Sequence, residues 1–153
     1  MSIAYRVQDY IAEHDLPWDA VEHRASQSSV ETAHYAHVPP DRLAKAIVLE
    51  DRLGYVVAVV AAQRRIDLAE LSEAIGRDLW LASEPELLEL FSDCALGAVP
   101  AVGEAYGIPT YWDESLGDKP DVYFEGGDHC TLVHMSGVNF SELMRSARPL
   151  HLH

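Results

Sequence analysis

The chain predicts an α/β fold of the mixed α+β kind, a curved mixed sheet or partly closed barrel flanked by helices, in one domain over residues 1–153. Three observations predict it. Amphipathic helical stretches alternate with short β-rich runs. Two apolar runs, "AIVLED" and "YVVAVVAA", flank a glycine, and two later β-rich runs flank a Gly-Gly pair before a closing helical stretch.

In order, "IAYRVQDYIAEH" places Ile3, Val7, Tyr10 and Ile11 at helical spacing, and Pro17 bounds that helix. "WDAVEHRA" reads as a short strand. "SSVETAHYAHV" offers a serine N-cap followed by Glu31, so a second helix is expected. "PPDRLAK" suits a turn or helical turn, because Pro39 and Pro40 fit a first turn and cannot continue an earlier helix. The two apolar runs, joined by "RLG", read as a hairpin with a buried interior. "DLAELSEAIG" has an aspartate start and a terminal glycine, both helix punctuation. "DLWLAS" is a short strand and "EPELLELF" a helix with proline in its first turn. "DCALGAVPAVGEAYGIPTYWDESL" is dense in Gly and Pro and reads as loop. "DVYFEGG" and "CTLVHM" predict two strands around the glycine pair, "GVNFSELMRSA" a closing helix, and "ARPLHLH" a loosely ordered tail.

Composition narrows the function classes. The formal net charge is −14, with nine arginines and two lysines against 25 acidic residues. A protein gripping a long stretch of phosphate backbone needs many cationic contacts, so DNA and broad nucleic-acid binding are excluded and any nucleic-acid partner is held at one end or one loop. The longest apolar run is too short for a bilayer, and the N-terminus is acidic where a secretory signal is basic and then apolar. A cytoplasmic protein without membrane association is expected. Cys94 and Cys130 match no metal or redox spacing and read as small core residues or free thiols.

Lys45 stands at the threshold of "AIVL", where a buried strand would carry another aliphatic residue. Two readings are open: a stem laid along the strand end with the amine in water, or an ammonium donating into a pocket. "GAVPAVG", residues 97–103, is either a surface turn or a rigid loop whose amides hold a ligand oxygen. It lacks the Lys-Ser/Thr ending of a phosphate-binding P-loop. His34 and His37 would share a helical face, yet no carboxylate completes a metal set and no HExxH is present. His129 follows the glycine pair and is placed to point into a cleft or to serve a structural role. No GxSxG elbow accompanies any Ser, His and Asp set.

Taken together, "SSVETAHYAHVPPDRLAKAIVLEDRLGYVVAVVAAQRRIDL", "LWLASEPELLELFSDCALGAVPAVG" and "DVYFEGGDHCTLVHMSG" resemble the YbaK/EbsC family of aminoacyl-tRNA deacylases over nearly the whole chain. The resemblance implies a YbaK-like fold, similar to the editing insertion of bacterial prolyl-tRNA synthetases. It implies hydrolysis of the ester between a wrongly attached amino acid and the terminal adenosine of tRNA. Lys45 matches the family's essential lysine, and Gly97 and Pro100 its glycine-proline loop around the adenosine and carbonyl. Ser28 falls where relatives have a pocket Thr, and His129 loosely matches a histidine of the alanine-specific branch. Ala46 and Val99 depart from the family pattern and leave the substrate amino acid open.

An ester is already activated, so Lys45 orienting the acyl-adenosine, with the backbone of Ala98, Val99, Pro100 and Ala101 supporting the oxyanion, would suffice without cofactor or metal. The implied partners are the acceptor end of mischarged tRNA and a synthetase or elongation factor for delivery; Arg64 and Arg65 are either phosphate contacts for that acceptor end or a pair of solvated surface arginines. The rival readings are a non-catalytic module that binds a small ligand, nucleotide or protein, and a histidine-bound metal hydrolase.

Overall fold

The computed structural model describes residues 3–152. Helix α1 (Tyr5–Glu13) is followed by β1 (Asp19–Glu22), α2 (Ser29–Tyr35), and the long hairpin of β2 (Leu43–Asp51) and β3 (Gly54–Ala61). Then come α3 (Leu68–Ile75), β4 (Trp80–Leu81), α4 (Glu84–Leu90), β5 (Thr110–Trp112), β6 (Asp121–Glu125), β7 (Thr131–Ser136), α5 (Gly137–Leu143) and β8 (Arg148–Pro149). Short 3-10 turns occupy Pro40–Arg42, Gly103–Tyr106 and Glu114–Asp118.

Helix starts are fixed by local chemistry. Ser28, Asp67, Ser83 and Ser136 each accept the backbone N–H three residues on, which satisfies a donor that the first helical turn leaves orphaned. At Ser83 the bond is reciprocated by Glu86, closing a capping box, and Gly76 ends α3 in the left-handed conformation that costs a glycine least.

The eight strands form one mixed sheet in the order β1-β7-β6-β2-β3-β5-β8, with β4 beside β2. The sheet is open, so the partly closed barrel gives way to the mixed-sheet alternative: β1 and β8 lie at opposite ends of the path with no pairing between them. β3 shows why its sequence runs apolar without alternation. Val57 and Val59 face a main cluster with Phe91, Trp112, Phe124 and Phe140, whereas Val56, Ala58 and Val60 face a second with Leu71 and Leu79, and all five β3 residues are 0% exposed. A strand covered on both faces has no polar side to show. A third cluster joins Ala33 and Val38 to Leu43 and Leu132.

Two expectations are corrected. The tail is ordered as far as it is described: Leu150 is buried and donates its N–H to the Trp112 carbonyl at 2.7 Å, and Arg148 and Pro149 pair with Tyr111 and Trp112. His153 lies outside the described residues. The Gly- and Pro-rich segment is not all loop, since β5 within it pairs in parallel with β3.

Candidate functional site

A break in the sheet creates the site. β6 runs parallel to β2 but pairs with it only at Leu43 and Ala44, and β4 reaches the same edge of β2 only at Leu49 and Glu50. Between them, residues 45–47 have no strand partner on that edge among the described residues. Backbone polar groups and side chains that a full ladder would cover there are left facing a pocket.

The pocket has a volume of about 170 Å³ and is lined by Lys45 and Ala46 from β2, Ser29 and Thr32 from α2, Leu87 from α4, Glu125 at the end of β6, and Gly97 and Val99 from the glycine-proline loop. A cavity of about 150 Å³ holds a benzene ring, so this one is the size for a small side chain or acyl group.

Lys45 shares a face of β2 with Leu43 and Ile47, which pack with different apolar clusters, so its stem lies at the seam between them. Its amine donates to the carbonyls of Ala62 and Arg64 at 3.3 and 3.0 Å, which leaves one of its three protons uncommitted. Half-burial pushes its pKa below the ordinary lysine value, because an ammonium loses hydration there.

The loop is held open by glycine. Gly97 has φ 86°, and a Cβ at that position would lie 3.4 Å from the His129 ring. Ala98, Pro100 and Ala101 are buried, and Val99 is half-buried. Within residues 98–101 the Ala98 N–H is spent on the Ala95 carbonyl at 3.1 Å and Pro100 has none, which leaves the amides of Val99 and Ala101.

Ser28 is exposed and its hydroxyl caps α2 by accepting the Glu31 N–H at 3.1 Å, while its neighbour Ser29 and the buried Thr32 line the pocket. His129, itself in the left-handed region at φ 62°, sits behind Gly97 and bonds Glu125 at 3.1 Å. Arg65 is exposed, whereas Arg64 is partly buried, its side chain 3.8 Å from Glu70 and its carbonyl held by Lys45. His34 and His37 do not share a helical face, because α2 ends at Tyr35 and His37 adopts φ 58°. Burial pushes the Cys94 thiol up to about 12, so it stays protonated. Among the described residues no group of three or more His, Cys, Asp or Glu could hold a metal ion.

Glu125 and His23 are the site residues that sequence reasoning passes over. Glu125 sits on the pocket wall, mostly buried, with His23 at 3.0 Å on one oxygen and His129 on the other. Burial raises its pKa, and the two histidines oppose that rise. The available signal was weak: a Glu ending a strand just before a glycine pair, with a His at the end of the first strand.

The architecture is thus a mixed-sheet α/β domain whose central strand edge opens into a small pocket with a buried carboxylate and a lysine. The aminoacyl-tRNA editing domain model matches residues 23–143, and the chain belongs to that family. Among solved structures it is similar to a protein named as a candidate trans-editing enzyme for prolyl-tRNA synthetase, at 27% identity and TM-score 0.81, covering 97% of this chain and 95% of that one. A computationally designed epitope scaffold is similar at 25% identity and TM-score 0.78, with 97% and 95% covered. The hypothetical protein APE2540 shares the fold at 23% identity and TM-score 0.78, with 94% and 97% covered. None of the curated proteins compared with the chain matches it.

Proposed function

We propose that this domain is a trans-editing hydrolase that removes a wrongly attached amino acid from tRNA by cleaving the ester at the terminal adenosine. The observation that carries this reading is the unpaired stretch of β2, which puts Lys45, Gly97 and Val99 on one pocket inside the segment that matches the editing-domain family.

In this reading the acyl group enters the pocket, whose volume suits it, while the adenosine stays outside. The free proton of the Lys45 amine orients the ester carbonyl or the terminal phosphate. The amides of Val99 and Ala101 support the oxyanion as water adds to the carbonyl carbon, and the ribose oxygen leaves with a proton. Gly97 and Pro100 set the loop's shape, and Ser28 fixes the helix that presents Ser29 and Thr32. Discrimination comes from pocket size through Ala46, Leu87 and Val99, and one methylene changes binding by about 1–3 kcal/mol. With a formal charge of −14 the body of the protein repels tRNA, so contact is confined to the acceptor end and a synthetase or elongation factor delivers it in the cytoplasm.

The experiment is a panel of aminoacylated tRNAs incubated with the protein and with Lys45→Ala, following loss of the ester. Hydrolysis of one or a few small aminoacyl esters, lost in the variant, is expected. Equal hydrolysis by both proteins would remove Lys45 from the mechanism. A second reading, a non-catalytic module for a small ligand or nucleotide, is favoured by the engagement of the Lys45 amine with two carbonyls. No turnover on any member of the panel would select it.

A further inference from the structure

On the wall of the pocket one carboxyl group is gripped by two imidazoles, and each imidazole is held from its far side by a backbone carbonyl. Glu125 Oε1 lies 3.0 Å from His23 Nε2, and Oε2 lies 3.1 Å from His129 Nδ1. His23 Nδ1 is 2.7 Å from the Arg24 carbonyl, and His129 Nε2 is 2.7 Å from the Ser26 carbonyl. The Ser26 N–H also approaches His129 Nε2, but at 3.4 Å it is much the weaker contact.

These four short contacts count protons. A carbonyl oxygen has none to give, so His23 Nδ1 and His129 Nε2 each carry one. The two contacts to Glu125 need one proton apiece, supplied by the ring nitrogen or by the carboxyl group. Four protons shared by three groups can be a carboxylate between two imidazoliums, or a carboxylic acid beside one imidazolium and one neutral ring. Both sum to one net positive charge, and the charge belongs to the three groups jointly. With three protons, two lone pairs face each other across one contact and that bond is lost.

We propose that His23, Glu125 and His129 form a proton-holding unit in the pocket wall that carries one net positive charge while its four hydrogen bonds are intact, with Glu125 as the positioning residue that orients both rings. The geometry connects the unit to the loop, since the His129 ring packs against Gly97 and Glu125 lines the same pocket as Lys45. The other titratable groups around it have their own engagements or face solvent. From α2, Glu31 accepts the Gln27 N–H, and His34 and His37 are exposed beside His23. From the turn before β7, Asp128 accepts from Cys130 and Thr131. Beside the ring of His23, Glu22 is exposed and Arg24 stacks on Tyr35 at 3.8 Å. None of these supplies or removes the counted protons. The unit makes the pocket electropositive within an acidic protein and favours ligands that present oxygen atoms, and rising pH removes that preference. The effect on hydrolysis rests on the editing reading above; the proton count does not.

The test is long-range proton–nitrogen NMR of the histidine side chains of the whole protein from about pH 5 to about pH 9, the range over which imidazoles titrate. At about pH 7, where an unpartnered imidazole is mostly neutral, at least one of the two rings is expected to be an imidazolium. His23 keeps its proton on Nδ1 and His129 keeps its own on Nε2 throughout. Glu125→Gln supplies one donor and one acceptor, so it preserves the shape and is expected to show one imidazolium and one neutral ring. Glu125→Leu removes both carboxyl contacts and is expected to leave both rings neutral at that pH. If Glu125→Leu fails to fold, the parent and Glu125→Gln spectra decide alone. Hydrolysis, corrected for spontaneous loss of the ester, is expected to fall about tenfold per pH unit above the point at which the spectra show the proton leaving. Both parent rings neutral at about pH 7, or a neutral His23 ring with its single proton on Nε2, would overturn the proposal. Absence of hydrolysis on every tRNA would end the editing reading and leave the spectra to decide the unit.

Discussion

Replacing Lys45 by methionine keeps the stem's packing and removes only the amine, so the change in stability can be worked from its contacts. The amine donates two hydrogen bonds, to Ala62 and Arg64, and each contributes about 1 kcal/mol net. Against this stands the half-burial that lowers its pKa. A base whose folded value lies below its unfolded one contributes stability above the unfolded value, and loses it as pH falls through the folded value. At neutral pH the buried charge is therefore a penalty that methionine relieves, which offsets part of the two lost bonds at the buried Ala62 and the partly buried Arg64. The net loss should be no more than about 1 kcal/mol, or about 2–4 °C in Tm for a chain of this size. Removing a donor that acts on developing charge costs about a hundredfold or more in rate. Thermal unfolding and ester loss from the best substrate of the tRNA panel measure the two effects side by side. A drop of more than about 10 °C would make Lys45 a structural bracket, and a rate within a fewfold of the parent would refute its assignment to the chemistry.

Three further outcomes are expected. Gly97→Ala forces a left-handed backbone on a residue with a Cβ and presses it toward His129; it should lose about 1–2 kcal/mol in denaturant melts and lose hydrolysis beyond what that accounts for. Phe140→Ala empties a 0% exposed site between Trp112 and Phe124, and should cost about 3–5 kcal/mol by urea unfolding. Arg77 holds the Asp51 carboxyl down at about 2 through a 2.8 Å and a 2.5 Å hydrogen bond. That contribution is present above the ordinary carboxylate value and disappears as pH falls through about 2, so the Tm gap between the parent and Arg77→Gln should close as the pH drops from about 5 to about 2.

How far the sequence could be read follows from how local each cause is. The starts of α2 and α3 were legible because each cap is a side chain bonding an N–H three residues away, and that of α4 because proline suits a first turn. The β2–β3 hairpin was legible because two apolar runs and a glycine lie next to each other. β5 and β8 were not, since strands of three and two residues exist only through their pairing with β3 and with each other. The position of Lys45 gave notice of a pocket, but its carbonyl partners lie 17 and 19 residues on, across the hairpin. His23 and Glu125 are 102 residues apart, and their meeting depends on β1, β7 and β6 lying side by side. No window along the chain contains that adjacency.

Because the hollow is framed by main chain where neighbouring strands part company, its outline is inherited from strand alignment. Ala46, Leu87 and Val99 only upholster it. Swaps among small and medium apolar residues at these three places can exchange one guest for another with the scaffold untouched. A slip of β2 by a single residue would turn Lys45 to the opposite side and abolish the recess altogether.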